Sequence, residues 1–187
     1  MTPPKRDHPP RRRSREGHPN QAFRGLAPTH ALWRTVCYTS AMADVQFQTD
    51  PLPEVSDLVG LYQSVGWSLY TNDPERLATA VKRSDWVLTA WVKAELVGLA
   101  RALTDGVSIT YLQDVLVHPD HQRVGIGRAL LDRWLEDHAS VRQRVLMTDD
   151  DPKQLAFYQS LGLLRIGPGS ELPCNVFYQD AAAEPPT

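Results

Sequence analysis

From Val45 onward the apolar positions fall into two spacings. VQFQ alternates as a short strand would, and WVLTAWV (Trp86 to Val92), ELVGLARAL (Glu95 to Leu103) and SITYLQDVLV (Ser108 to Val117) are strand-like runs separated by turn residues. The Lys93-Ala94 and Asp105-Gly106 joints are short, which predicts an antiparallel meander. Before it, Val55, Leu58, Val59, Tyr62 and Val65 recur at helical spacing between Pro53 and Trp67, and Asn72-Asp73-Pro74 opens a second short helix with a capping side chain and a first-turn proline. After it come a helix from Gly125 to near Asp137, a strand VLMT (Val145 to Thr148), a helix from Pro152 to Leu161 stopped by Gly162, and two further strands, LLRI and NVFYQ. The order is strand, two helices, three strands, helix, strand, helix, two strands. It predicts an α+β fold, often filed as α/β, rather than a doubly wound sheet.

Residues 1–41 read differently. They carry six of the fifteen prolines, an arginine run from Arg11 to Arg15 and no sustained periodicity, so they are expected to be a disordered basic extension ahead of one domain at 42–187. They hold eight lysines and arginines against two acids, which leaves the remainder with twelve against twenty, a net −8. The basic run admits a nucleic-acid or membrane-surface tail; an extension with no role is favoured, and nucleic acid is not the expected partner. No apolar run approaches the roughly 18 residues of a spanning helix, so a cytoplasmic protein without membrane attachment is expected. Two distant cysteines and six histidines without ligand spacing predict no metal.

The densest chemistry lies in HPDHQRVGIGRALLDRWL, His118 to Leu135. A strand ends, the chain turns, and a helix starts where backbone amides lack intrahelical partners. Gly125 and Gly127 remove the Cβ atoms that would hold a bulky anion off those amides, and the helix dipole adds positive character. Arg123 and Arg128 can add charge-assisted contacts. A phosphate or pyrophosphate suits such a place, although glycines easing a tight turn would look the same. Neither the P-loop nor the dinucleotide pattern fits: no G-K-[ST] follows, and no third glycine stands in register.

Gln122-Arg123-Val124-Gly125-Ile126-Gly127 matches every fixed position of [QR]-x-x-G-x-[GA], and with VLVHPDHQ before it and FYQSLGL after it the chain resembles the GCN5-related N-acetyltransferases (GNAT) from about Val45 to Gln179. The resemblance implies the acyl-CoA N-acyltransferase fold, a sheet that splays between Ser108–Val117 and Arg144–Thr148, and acetyl-CoA as cosubstrate with pantetheine in the gap. It places main-chain donors of Val115, Leu116 and Val117 on pantetheine and the developing oxyanion, and assigns the pyrophosphate to Gln122, Arg123, Val124, Gly125, Ile126, Gly127 and Arg128.

Acetyl transfer to an amine also needs an acid for the departing thiolate. Tyr158 matches the tyrosine many members use: a phenol of reference pKa about 10 can protonate a thiolate of reference value about 8.5. Packing with Leu155 and Leu161 on one helical stripe is its plainer role. Asp114, a charge in an apolar run, is the candidate base, and alternation groups it with Leu112 and Leu116, opposite Gln113 and Val115. Polyamine acetyltransferases carry an acidic pair here, with the base role often given to the first acid, where this chain has Gln113; Asp114 as a structural partner, or a water chain as base, stay open. Many members have an asparagine seven residues before the tyrosine, whereas Asp151 here suits a helix cap, and His118 suits the start of a turn. Trp67 and Tyr70, with Tyr62 and Trp91 in the same region, are expected near the acceptor, and the SVGW-x-x-YT stretch is similar to acetyltransferases of the serotonin type. The expected function is N-acetylation of a small-molecule amine. An acyl-CoA-binding sensor and an acetyltransferase for protein amino groups are the alternatives, and a homodimer is a further expected assembly.

Overall fold

In the computed structural model, residues 42–167 are described. The segment 1–41 and the strand expected at NVFYQ lie outside them. The chain divides into two units, Met1–Cys37 and Tyr38–Thr187, and every described residue belongs to the second.

Strands β1 (Val45–Gln48), β2 (Trp86–Val92), β3 (Glu95–Thr104) and β4 (Ile109–Val117) form the antiparallel meander, and β5 (Gln143–Leu146) joins β4 in parallel. A parallel neighbour needs a crossover, which α4 (Ile126–Asp137) supplies. The β3–β4 turn is organised by Asp105, whose carboxylate accepts from the amides of Val107, Ser108 and Ile109 at 2.7–3.0 Å, with Gly106 at φ +71°. The sheet separates two apolar layers. On one face Leu58, Leu61 and Tyr62 of α1 (Val55–Ser64) and Leu77 and Val81 of α3 (Pro74–Lys82) pack on Val87, Leu96, Leu99 and Leu116. On the other, Ile126, Leu130, Leu131 and Trp134 of α4 pack on Leu88, Ala90, Ala100, Ala102 and Leu112. Phe157, Tyr158 and Leu161 of α5 (Pro152–Ser160) and its C-terminal turn add to this second layer.

Local signals explain the helix ends. Asp73 caps α3 by accepting from the Arg76 amide at 3.0 Å, with Pro74 in the first turn; Asp151 caps α5 through the Lys153 amide at 2.9 Å, with Pro152 next. The first helix stops at Ser64, short of Trp67, because Gly66 enters the left-handed region and the Trp67 amide returns to the Tyr62 carbonyl at 3.0 Å. A one-turn helix, α2 (Ser68–Thr71), then forms where none was expected.

Three further expectations are corrected. Leu112 and Leu116 do not share a face with each other: Leu112 packs on α4 and Leu116 on α1 and α3. The cause is a β-bulge. The hairpin register runs from Thr104↔Thr110 to Ala102↔Leu112 and then steps to Arg101↔Asp114, so Gln113 is the extra residue and the alternation of β4 reverses across it. The last strand of the crossover is Gln143–Leu146 rather than Val145–Thr148, since β4 beyond the bulge no longer offers it a partner. Leu163–Ile166 forms no ladder with any described residue, so LLRI is not a strand here.

Candidate active site

Pairing between β4 and β5 ends at Leu112↔Leu146. From Asp114 to Val117 β4 keeps β3 on one side, while from Gln113 onward its other edge has no strand partner among the described residues. Main-chain groups alternate sides along a strand, so part of this segment's donors and acceptors face the space that β5 has left. That space is a cleft of about 690 Å³ walled by Val115–Val117, by Leu146 at the end of β5 with Met147 and Thr148 beyond it, by the start of α4 and by α5. A second hollow of about 760 Å³ lies by β1 against Asp132, Arg133 and Glu136, further along α4 than the glycine loop.

The floor of the cleft at α4 is built as its sequence requires. Gly125 is the cap residue at φ +112°, a conformation that costs an L side chain about 1–2 kcal/mol. It has no side chain with which to cap the first-turn amides. Gly127 leaves room too: a Cβ there would sit 3.6 Å from Val117 Cγ2. Arg123 also adopts positive φ, at 66°, and its exposed side chain has no hydrogen bond or ion pair among the described residues. Arg128 lines the same cleft but is engaged, donating from Nε to both Asp132 oxygens at 3.1 Å and from its terminal nitrogen to Ser160 at 3.3 Å. Gln122 ties the loop to the sheet, its amide donating to the Val117 carbonyl at 3.0 Å. Val124 and Ile126 pack beneath, Ile126 being fully buried. His118 caps the following 3₁₀ turn, Pro119–His121, by accepting from the Asp120 amide at 3.3 Å.

Tyr158 lines the cleft from α5 beside Phe157, at 5.4 Å between ring centroids. Burial pushes its phenol above the ordinary value, and a hydrogen bond with Thr148 offsets part of that rise. It therefore carries its proton throughout the neutral range.

Opposite stands a polar network that the linear pattern shows only in part. Asp114 is 2% exposed and ion-paired with Arg101, itself 5% exposed. It also accepts from Tyr62 Oη at 2.8 Å and Tyr70 Oη at 3.1 Å. Gln113 donates from Nε2 to the Tyr70 oxygen at 3.3 Å. Burial and the neighbouring Asp114 charge raise both phenols. Trp67 stacks on Tyr70 at 5.8 Å and 28°, meets Tyr62 edge-on, and lines the cleft together with Gln113. Asp114, Tyr62 and Tyr70 are held just behind that wall, while Trp91 donates to Thr89 and packs on the α1–α3 side. Arg101 was absent from the expected site. Its signal was a lone cation in the apolar run ELVGLARAL, in the strand beside the one with the lone Asp114.

Comparison with known proteins agrees with this arrangement. Residues 83–162 match the domain described as Acetyltransferase (GNAT) domain. A Gibberella zeae relative is 30% identical over 124 residues, covering 65% of this chain and 67% of its own, and the ycf52 N-acetyltransferase of Pyropia yezoensis is 24% identical over 133 residues, covering 69% and 75%. The solved GNAT-family acetyltransferase SP0256 of Streptococcus pneumoniae superposes with a TM-score of 0.61 at 29% identity, over 72% of this chain and 98% of that one. A mixed sheet that opens beside a glycine-started helix thus coincides with relatedness in sequence and in fold, and the chain belongs to the GCN5-related N-acetyltransferases.

Proposed function

We propose that the cleft between β4 and β5 binds acetyl-CoA and that the protein transfers the acetyl group directly to the amine of a small molecule, with Tyr158 as general acid. The observation that carries this reading is the meeting of three features in one cleft: the unpaired edge of β4 at Gln113–Val117, the glycine-opened start of α4, and the Tyr158 phenol. Acetyl-CoA fits because a diphosphate needs exposed amides and a nearby cation, which the Gly125–Gly127 loop and Arg123 supply, and because pantetheine amides need strand-edge partners. When bound, acetyl-CoA supplies the thioester carbonyl.

The chain's residues do the rest. Main-chain amides of Val115–Val117 on the open edge can bond the carbonyl oxygen as charge develops, without reorganising at the moment of reaction. Tyr158 holds a proton ready for the departing sulfur. Asp114 serves as the buried anchor of Tyr70 and Gln113 rather than touching the amine, because its oxygens already accept from Arg101, Tyr62 and Tyr70. Trp67 offers an apolar face to the body of the amine.

The test is release of CoA thiol with a panel of small amines and peptides, repeated for Tyr158→Phe. The variant is expected to bind acetyl-CoA normally and to lose about 10²-fold or more in kcat. Undiminished turnover would remove Tyr158 from the mechanism, and release with peptides alone would reassign the acceptor to protein amino groups.

A further inference from the structure

We propose that Gln113 binds the acceptor amine, its carboxamide turned by the Tyr70 hydroxyl so that Oε1 accepts a hydrogen bond from the substrate nitrogen. The proposal rests on reading the cleft as the acetyl-transfer site and names how that site holds its second substrate.

The direction of each hydrogen bond follows from the one before it. Arg101 is a cation, so the Asp114 carboxylate beside it only accepts. The Tyr70 hydroxyl has one proton, and it donates that proton to Asp114 Oδ1 at 3.1 Å. Tyr70 Oη is then left with acceptor capacity alone, and the Gln113 atom 3.3 Å away must be the donor, Nε2. The carboxamide cannot flip without setting two acceptors against each other. Its oxygen is thereby directed away from Tyr70, and it accepts no hydrogen bond among the described residues. Gln113 lines the cleft with Trp67, Val115 and Tyr158, so its carboxamide stands at the wall of the space in which the proposed reaction brings amine and thioester together.

The backbone makes the arrangement. In a regular strand Gln113 and Asp114 would point to opposite faces and could not reach one hydroxyl. Gln113 is the inserted residue of the bulge, so both side chains turn toward α2 and share Tyr70. A bulge next to a site commonly re-aims a side chain in this way.

The chemistry that fits is a primary or secondary amine with an N–H to donate and an apolar body for Trp67. A carboxamide cannot take up the amine's proton. That proton passes to solvent water as the ammonium becomes the neutral nucleophile, so the acid limb of kcat/KM should follow the amine's own pKa rather than that of an enzyme group.

Calorimetric titration of the full chain, saturated with CoA, with 2-phenylethylamine tests the assignment, alongside acetyl-CoA affinity. Gln113→Leu is expected to weaken amine binding by about tenfold or more with acetyl-CoA affinity unchanged, since the N–H of a bound amine would lose its acceptor. Tyr70→Phe, which frees the carboxamide to flip, should show a smaller loss of the same kind. Gln113→Glu keeps the shape, adds a proton acceptor, and should move the acid limb of kcat/KM to lower pH. Equal amine affinity in wild type and Gln113→Leu, both holding acetyl-CoA normally, would overturn the assignment, as would an acid limb unmoved by Gln113→Glu. A wild-type chain that fails to bind acetyl-CoA would overturn the reading of the cleft itself.

Discussion

A carboxylate as buried as Asp114 is tolerable only when its lone pairs are engaged, and Arg101, Tyr62 and Tyr70 engage them. Tyr62 is fully buried, so its hydroxyl has no alternative partner in water. Tyr62→Phe should therefore cost about 1.5–3 kcal/mol, as expected for a hydrogen bond to a charged group. The pH dependence follows from the phenols of Tyr62, Tyr70, Tyr111 and Tyr158, all raised by burial. The folded state binds those protons more tightly than the unfolded chain. Their contribution is fully present below the ordinary phenol value of about 10 and is lost as pH rises from there through the folded values. Urea midpoints followed across that range should fall steeply for wild type and less steeply for Tyr62→Phe; parallel curves would contradict the assignment. Asp114 was legible in the sequence as a lone charge among apolar neighbours; Arg101 carries the same signal in the next strand but was not among the expected site residues. Their pairing was not legible, because an unbroken register from Thr104↔Thr110 sets Arg101 opposite Gln113.

Among the elements, α4 matters most, since its first turn forms one end of the cleft. How close that turn lies to the sheet is set from β3. A Cβ on Gly98 would meet Ile126 Cγ2 at 3.0 Å and Ala90 Cβ at 3.3 Å. Gly98→Val should push the start of α4 outward, costing about 1–3 kcal/mol in stability and weakening acetyl-CoA binding although Gly98 does not line the cleft. Thermal melts and a binding titration would check both; lost stability with unchanged affinity would separate helix spacing from the ligand site. The start of α4, the Asp73 and Asp151 caps and the Asp105 turn were all legible, because each is set by residues within one turn of chain. The one-turn α2 was not: four residues carry no period, and their place depends on Tyr70 reaching Asp114.

For the molecule as a whole, the consequence of the splay is that one ligand can touch β4, the region beyond β5, α4 and α5 together. A ligand that binds only the folded state stabilises it by about 2.7 kcal/mol at one hundred times its Kd. For a domain of this size acetyl-CoA at that concentration should raise Tm by roughly 5–10 °C. A scanning fluorimetry series with acetyl-CoA would show it, and an unshifted midpoint at millimolar ligand would count against the cleft.

The sequence by itself determined what neighbours in the chain decide: turns, caps, the periods of most strands and helices, and a glycine motif that carries the family resemblance. Tertiary structure alone decided where the alternation of β4 reverses, how far β5 follows it, and which groups meet at Tyr70. The reason is physical. Leu112 must enter the layer under α4 while Leu116 enters the layer under α1 and α3, and an odd residue between them, Gln113, reconciles the two demands. That choice depends on packing across both faces of the sheet at once, which no local window of residues contains.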